Sequence, residues 1–154
     1  KVAFDEPKNI SARGGMLIGS CLAGVAFTKG LGLVHSISHM IGAEYNTQHG
    51  LTNAIILPAV MKFNLPYVGD KVRSISHAMD LKEASSDMIV QEIEQILDYV
   101  NIPRSLTEIG IPLECKKRIA KKAMLDSATA TNPRLAQFED VEELTEISIL
   151  AARG

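Results

Sequence analysis

The sequence predicts an all-α fold, a multi-helix bundle of six to eight helices. Hydrophobic residues make up 46% of the 154 residues, enough to bury a core in one domain of common size. Apolar residues recur at helical spacing in residues 87–100, where DMIVQEIEQILDYV is clearly amphipathic. No segment alternates apolar and polar residues in the manner of a half-buried strand.

The first predicted helix spans residues 9–28, and Asn9 or Ser11 can cap its amino end. We expect no complete structural element in the residues that precede it. The longest apolar run, residues 16–27, is shorter than the roughly 20 residues that cross a bilayer. The sequence therefore predicts no membrane segment.

Small residues form a ridge on this first helix, because Gly15, Gly19 and Ala23 recur every four positions. Glycine costs a helix about 1 kcal/mol relative to alanine, so a compensating contact is expected. We interpret the ridge as the place where a neighbouring helix packs closely. A GxxxG dimer within a membrane is the alternative, which the short apolar run disfavours.

Two helices are predicted next, over residues 31–43 and 51–63, on either side of a turn at residues 44–50. Pro58 lies within the second of them and is expected to kink it or remove one hydrogen bond. Four more helices are predicted over residues 68–79, 87–100, 112–127 and 138–152. Pro112 suits the first position of its helix, where the missing N–H is not needed.

Charge patterning in the last two helices indicates solvated faces. A nucleic-acid patch is the alternative for the helix at residues 112–127. Its basic residues are Lys116, Lys117, Arg118, Lys121 and Lys122. The acidic residues near the start of the second, which suit the helix dipole and could face the basic helix, are Glu139, Asp140, Glu142, Glu143 and Glu146.

Overall composition argues against a nucleic-acid partner, because the net charge is −2 and the chain has no tryptophan. Cys21 and Cys115 have no CxxC partner and are interpreted as reduced core residues, with a single disulfide as the alternative. We expect a cytoplasmic protein that binds neither nucleic acid nor membrane.

Three of the four histidines, His35, His39 and His49, lie within residues 30–64. The first two are four residues apart and share one face of a helix, and the predicted turn can return the third to that face. Neutral imidazole suits zinc, iron, nickel and copper, so a metal site is one hypothesis. Core or turn histidines bonded to backbone carbonyls are the alternative. Ser36 occupies the glutamate position of HExxH, which excludes that metalloprotease motif.

The longer segment resembles the signature of iron-dependent (group III) alcohol dehydrogenases, approximately G-x-V-H-x-x-x-H-P-x-G…Y-N-T-P-H-G-x-x-N-A-x-x-L-P. A later Asn-Pro-Arg turn at residues 132–134 is also similar to that family. Met40, Gln48 and Ala59 depart from the pattern without removing a ligand. The positions that match in register are Gly32, Val34, His35, His39, Gly42, Tyr45, Asn46, Thr47, His49, Gly50, Asn53, Ala54, Leu57 and Pro58.

The resemblance implies a dehydroquinate synthase-like helical domain whose metal, Fe²⁺ or Zn²⁺, is held by one aspartate and three histidines. It implies that His35 and His49 are metal ligands. It places His39 near the nicotinamide of NAD or NADP, as a candidate for proton transfer or orientation. Asn53 is expected to hold the turn before it by a bond to backbone, and His77 has no motif partner and is expected on the surface.

No D-x-x-x-H helix or glycine-rich phosphate loop precedes the motif, although the family draws its other ligands and its dinucleotide site from them. We therefore expect residues 1–154 to be the metal-binding C-terminal domain, with the N-terminal dinucleotide-binding domain absent from this chain. The expected partners are that N-terminal domain, further copies in a homo-oligomer, and a small alcohol or aldehyde.

The predicted function is that of a metal-binding domain of an NAD(P)-dependent alcohol dehydrogenase, which interconverts small primary alcohols or diols and aldehydes by hydride transfer. The chain alone is expected to be inactive. One alternative is the zinc-using glycerol dehydrogenase branch of the same superfamily. The other is a non-catalytic helical interaction domain that retains its histidines as relics.

Overall fold

Helices and loops account for residues 1–151, the part of the chain that the computed structural model describes. This part contains eight α-helices and no β-strand, so the predicted all-α class and helix number are confirmed. In chain order the helices are α1 (Val2–Asp5), α2 (Ile10–Ala26), α3 (Leu33–Tyr45), α4 (His49–Asn64), α5 (Lys71–Ala78), α6 (Ser86–Tyr99), α7 (Lys116–Ala123) and α8 (Phe138–Ala151).

Residues 1–30 form one structural unit, made of α1, α2 and a single 3₁₀ turn. The short helix α1 was not predicted. Asn9 caps α2 as predicted, and its side-chain oxygen accepts a hydrogen bond from the Ala12 N–H at 3.0 Å. A Cβ atom added at Gly15 or Gly19 would meet nothing within 4 Å, so within residues 1–30 no helix packs on the predicted ridge.

Apolar side chains of α2 are largely exposed, with Leu17 73% and Leu22 64% accessible. Together with the following 3₁₀ turn, the helix Ile10–Lys29 is long and apolar enough to cross a membrane. The apolar helix is therefore longer than the run of residues 16–27 from which the sequence predicted no membrane segment. Length and composition of one helix are weak grounds for a membrane protein, since core helices and signal sequences share them.

Cys21 of α2 is exposed, so its predicted core position is wrong.

The second unit begins at Leu31 and contains α3 to α8. Its main core lies where α3, α4, α7 and α8 pack together. Side chains one turn apart form the buried face of α3, and they are Leu33, Ile37 and Ile41. The buried apolar residues of the three other helices include Ile55, Ile56 and Val60, Ile119 and Ala123, and Val141 and Ile149.

A smaller core lies between α5 and α6, where Leu65, Ile89 and Val90 are buried. On the predicted amphipathic helix α6, Ile89 and Val90 are buried, whereas Ile96 is 38% exposed. His77 is exposed on α5, as expected for a surface histidine.

Ion pairs join the basic helix α7 to two neighbouring helices. Lys116 contacts Glu146 of α8 at 2.6 Å, which confirms the predicted pairing of a basic with an acidic helix. Arg118 and Lys122 both contact Glu44 of α3, at 2.9 and 2.6 Å. The hydrogen bond from Lys122 is the largest cause that lowers the pKa of Glu44. The cations of α7 therefore serve helix packing as well as solvation.

Several predicted boundaries shift. The turn between α3 and α4 is only residues 46–48, because Asn46 adopts a left-handed conformation (φ 54°) that ends α3 abruptly. Pro112 does not begin a helix; it precedes a 3₁₀ turn, Leu113–Cys115, and α7 starts after that. Helix α4 continues through Pro58. The predicted end of the last helix at residue 152 lies outside the described residues.

The side-chain amide of Asn132 joins the start of α3, the end of α4 and its own turn, three segments that lie far apart in the sequence. Its oxygen accepts from the Leu33 N–H at the start of α3 (3.2 Å) and from the Asn64 amide at the end of α4 (3.0 Å). Its nitrogen donates to the Asn64 side-chain oxygen and to the Arg134 carbonyl, both at 2.7 Å. All the hydrogen-bonding capacity of this amide is therefore used.

Gly32, the residue before α3, leaves room for this amide. Its φ of −154° is open to any residue, so space rather than backbone conformation requires glycine. A Cβ atom there would lie 2.9 Å from Asn132 Oδ1. The glycine of the motif is thus explained by the amide that it faces.

We expect Gly32→Ala to lower the free energy of unfolding by about 1–3 kcal/mol, because the displaced amide leaves buried partners unsatisfied. Urea denaturation of the chain measures it. Gly42→Ala in the same helix is the matched control, since its Cβ would meet only the Thr47 carbonyl at 3.9 Å. That control should be neutral or slightly stabilising. Equal stability of the two variants would contradict this account.

Candidate metal centre

The helix pair α3 and α4 brings the three predicted histidines together. His35 and His39 lie one turn apart on α3, and His49 is the first residue of α4. The turn between them is held by Thr52, whose hydroxyl is 2.8 Å from that of Thr47. The Thr52 hydroxyl also lies 3.0 Å from the Gln48 carbonyl oxygen. A short, braced turn therefore sets His49 beside α3.

The three imidazole rings form a triangle. Ring centroids are 5.8 Å apart for His35 and His39, 5.4 Å for His35 and His49, and 5.6 Å for His39 and His49. The last two rings are nearly parallel, with an interplanar angle of 16°. The predicted clustering of the histidines on one side of the turn is thus present.

Asn53 lies between two of the rings. Its Nδ2 atom is 3.3 Å from His35 Nε2 and 3.0 Å from His49 Nε2. The expectation that Asn53 bonds to backbone of the turn is wrong, because Thr52 has that role. The amide can donate to both rings only when both Nε2 atoms are unprotonated, which is also the form that binds a metal.

The electrostatic surroundings favour neutral imidazole at His35. Burial lowers the pKa of His35, and the neighbouring His49 and His39 rings lower it further, whereas Asp126 acts in the opposite direction. A ligand histidine must be deprotonated at the nitrogen that binds, so a lowered pKa prepares this side chain at neutral pH.

Asp126 is the functional candidate that the sequence did not reveal. Its Oδ2 atom is 2.9 Å from His39 Nδ1, across 87 residues of sequence. Its Oδ1 atom accepts from the Ala128 N–H at 2.8 Å and caps the 3₁₀ turn Ser127–Thr131. Burial alone would raise the pKa of Asp126, but the Ala128 N–H and the His39 ring together lower it. The carboxyl is therefore ionised at neutral pH.

Two side chains of this chain suit the ligand positions of a metal site. The Nε2 atoms of His35 and His49 lie 3.3 and 3.0 Å from the same Asn53 nitrogen. The Asn53 oxygen is buried there without a hydrogen-bond partner. Within residues 1–151 no group of three or more histidine, cysteine, aspartate or glutamate side chains is arranged to hold a metal ion. His35 and His49 are the residues of this chain that could hold such an ion, because imidazole nitrogen suits Fe²⁺ and Zn²⁺.

Sequence comparison identifies relatives with named activities. The chain is 39% identical to lactaldehyde reductase of Escherichia coli K12 over 136 residues, covering 84% of this chain and 36% of the relative. It is 34% identical to the NAD-dependent methanol dehydrogenase of Bacillus methanolicus over 154 residues, covering 92% and 39%. The chain therefore spans little more than a third of the length of these relatives.

Solved structures share the fold. An alcohol dehydrogenase from Oenococcus oeni superposes with a TM-score of 0.89 at 27% identity, covering 95% of this chain and 40% of that one. A 1,3-propanediol oxidoreductase superposes with a TM-score of 0.88 at 27% identity, covering 92% and 39%. The helical arrangement is that of a C-terminal domain in iron-type alcohol dehydrogenases.

The family model described as "Fe-containing alcohol dehydrogenase family, C-terminal" matches residues 1–149. This match agrees with the resemblance that the motif of residues 32–58 and the Asn-Pro-Arg turn indicated. The chain belongs to the iron-containing alcohol dehydrogenase family, of which it covers the C-terminal helical domain.

Proposed function

We propose that this chain is the metal-binding domain of an NAD(P)-dependent alcohol dehydrogenase. The complete enzyme interconverts small primary alcohols or diols and their aldehydes. One observation supports this most strongly: His35 and His49, matched by the family motif, bring their Nε2 atoms to within 3.3 and 3.0 Å of a single amide nitrogen. Two relatives, a lactaldehyde reductase and a methanol dehydrogenase, act on compounds of this size.

In this proposal His35 and His49 are ligands of Fe²⁺ or Zn²⁺. A bound divalent ion supplies Lewis-acid polarisation of the alcohol or carbonyl oxygen. The chain's own contribution is to hold two unprotonated Nε2 atoms in fixed positions, with the braced turn at residues 46–48 setting their separation. The remaining ligands come from the N-terminal domain.

His39 is proposed as the catalytic side chain on the nicotinamide side of the cleft. NAD or NADP, bound through the N-terminal domain, supplies hydride transfer. The His39 ring is partly accessible, with 35% of its side chain exposed, and one of its nitrogens faces Asp126. The other nitrogen can exchange a proton with an alcohol or with water.

The proposed partners are the enzyme's own N-terminal domain and further copies in a homo-oligomer, and the proposed location is the cytoplasm. The exposed apolar surface of α2 supports a protein partner. Its most exposed large side chains are Ile10, Met16, Leu17, Ile18 and Leu22, each at least 64% accessible. A soluble protein rarely leaves such a continuous apolar helix uncovered.

We expect His49→Ala in the complete enzyme to lose most of its bound metal and its turnover, because one ligand and its share of the binding energy disappear. Metal content by mass spectrometry and NAD(P)-linked alcohol oxidation measure the two effects. His77→Ala is the matched control, since His77 is an exposed histidine on α5. Unchanged metal content in His49→Ala would refute the ligand role. Iron or zinc in the wild-type enzyme separates the iron-type enzyme from the glycerol dehydrogenase branch.

The isolated chain should bind Zn²⁺ weakly and should not oxidise alcohols. Two imidazoles provide only part of the affinity of a complete site, for which structural zinc peptides reach about 10–16 kcal/mol. Calorimetric titration with Zn²⁺ tests the binding. Tight, stoichiometric binding, or NAD(P)-dependent turnover by the chain alone, would contradict the proposed division of the site between domains.

The isolated chain should also self-associate through α2, since water contact with this apolar helix is unfavourable. Light scattering measures the mass in solution. The double substitution Leu17→Gln with Leu22→Gln should shift the chain towards the monomer, whereas Leu125→Gln, at an 84% exposed position outside α2, should not. A wild-type monomer that binds no apolar dye would argue against a missing partner.

A further inference from the structure

We propose that Asp126 is a positioning residue for His39, which it holds in one ring orientation and one tautomer, with the proton on Nδ1. This inference rests on the proposed function, in which His39 acts at the cleft. It adds a residue that the motif of residues 32–58 does not contain, drawn from the turn that follows α7.

The contact is specific in its geometry. Asp126 Oδ2 lies 2.9 Å from His39 Nδ1, within hydrogen-bond range. The aspartate side chain is only 13% exposed, so water competes little for its oxygens. Its other oxygen is occupied by the Ala128 N–H at 2.8 Å, which fixes the carboxylate plane. The Ala128 N–H therefore holds the carboxylate in place independently of its contact with the His39 ring.

A carboxylate has only acceptor atoms, so the nitrogen that faces it must carry the proton. In neutral imidazole the other nitrogen then has the lone pair. His39 Nε2 is thus left able to accept a proton or a hydrogen bond. The neighbouring rings of His35 and His49 restrict tilting of the His39 ring from two further sides, at centroid distances of 5.8 and 5.6 Å.

Asp126→Asn tests the tautomer with little change of shape. The Ala128 N–H must still meet an oxygen, so the asparagine would keep its oxygen on that side and turn its NH₂ group towards His39. An NH₂ group only donates, so Nδ1 would become the acceptor and the proton would move to Nε2. The substitution therefore exchanges the two tautomers of His39, so that Nε2 becomes a hydrogen-bond donor instead of an acceptor.

In the complete enzyme we expect Asp126→Asn to reduce kcat about 100-fold, within the range of a general acid–base contribution, and to leave KM for the alcohol nearly unchanged. Asp98→Asn is the matched control, because Asp98 is also an ion-paired aspartate, 2.8 Å from Arg104, on the surface of α6. It should retain wild-type kinetics. Metal content should stay at the wild-type level in both variants.

The dependence on His39 is tested by a double-mutant cycle. If Asp126 acts through the ring, Asp126→Asn should cause no further loss of kcat in a His39→Ala background. A loss of the same size in both backgrounds, or a wild-type kcat in the single variant, would overturn the proposal.

A spectroscopic measurement separates this proposal from the proposed function. In ¹⁵N-histidine-labelled complete protein with Zn²⁺ added, at a pH of about 8.5 where imidazole is neutral, nitrogen shifts distinguish protonated from unprotonated ring nitrogens. Comparison with His39→Ala identifies the His39 signals. We expect Nδ1–H in the wild type and Nε2–H in Asp126→Asn. Nε2–H in the wild type would overturn the positioning role even if the enzyme is active. A wild type without alcohol oxidation would refute the function and leave this measurement valid.

Discussion

The arrangement of the candidate site depends on the saturated side-chain amide of Asn132. This amide joins the first residue of α3, the last residue of α4 and the Asn-Pro-Arg turn in one set of hydrogen bonds. These hydrogen bonds are part-buried, so an unmade bond would leave a polar atom poorly satisfied, at a cost of up to about 3 kcal/mol. The two helices that carry the histidines are therefore fixed at one end by this amide and at the other by the short turn at residues 46–48.

Within that frame the three imidazoles have different surroundings, and the differences suit different chemistry. His35 and His49 face an amide nitrogen, an environment that selects unprotonated Nε2 atoms. His39 faces a carboxylate, which selects a protonated Nδ1 atom. In the proposed function, the metal ligand His35 and the acid–base group His39 therefore lie one helical turn apart. The contrast comes from Asn53 and Asp126, and in the proposed function neither of them binds the metal or transfers a proton.

Sequence predicted the helices and the three-histidine cluster well, because helical periodicity and the long motif are local signals. The boundaries failed where local conformation decides, as at Asn46, whose left-handed backbone ends α3, and at Pro112, which precedes a 3₁₀ turn instead of a helix. Asp126 was missed for another reason. Its contact with His39 spans 87 residues, and an aspartate before a serine resembles any other turn cap.

The same difference in sequence separation has a consequence for folding. His35 and His49 are 14 residues apart in a helical hairpin, whereas the contact of His39 with Asp126 closes a loop of 87 residues. Loop-closure entropy grows with length, and contacts between distant residues form more slowly than local ones. The pair of metal-ligand candidates can therefore assemble early, from α3 and α4 alone. The contact between His39 and Asp126 forms only when α7 and the turn after it have docked, so under the proposed function His39 can transfer protons only once this part of the domain has folded.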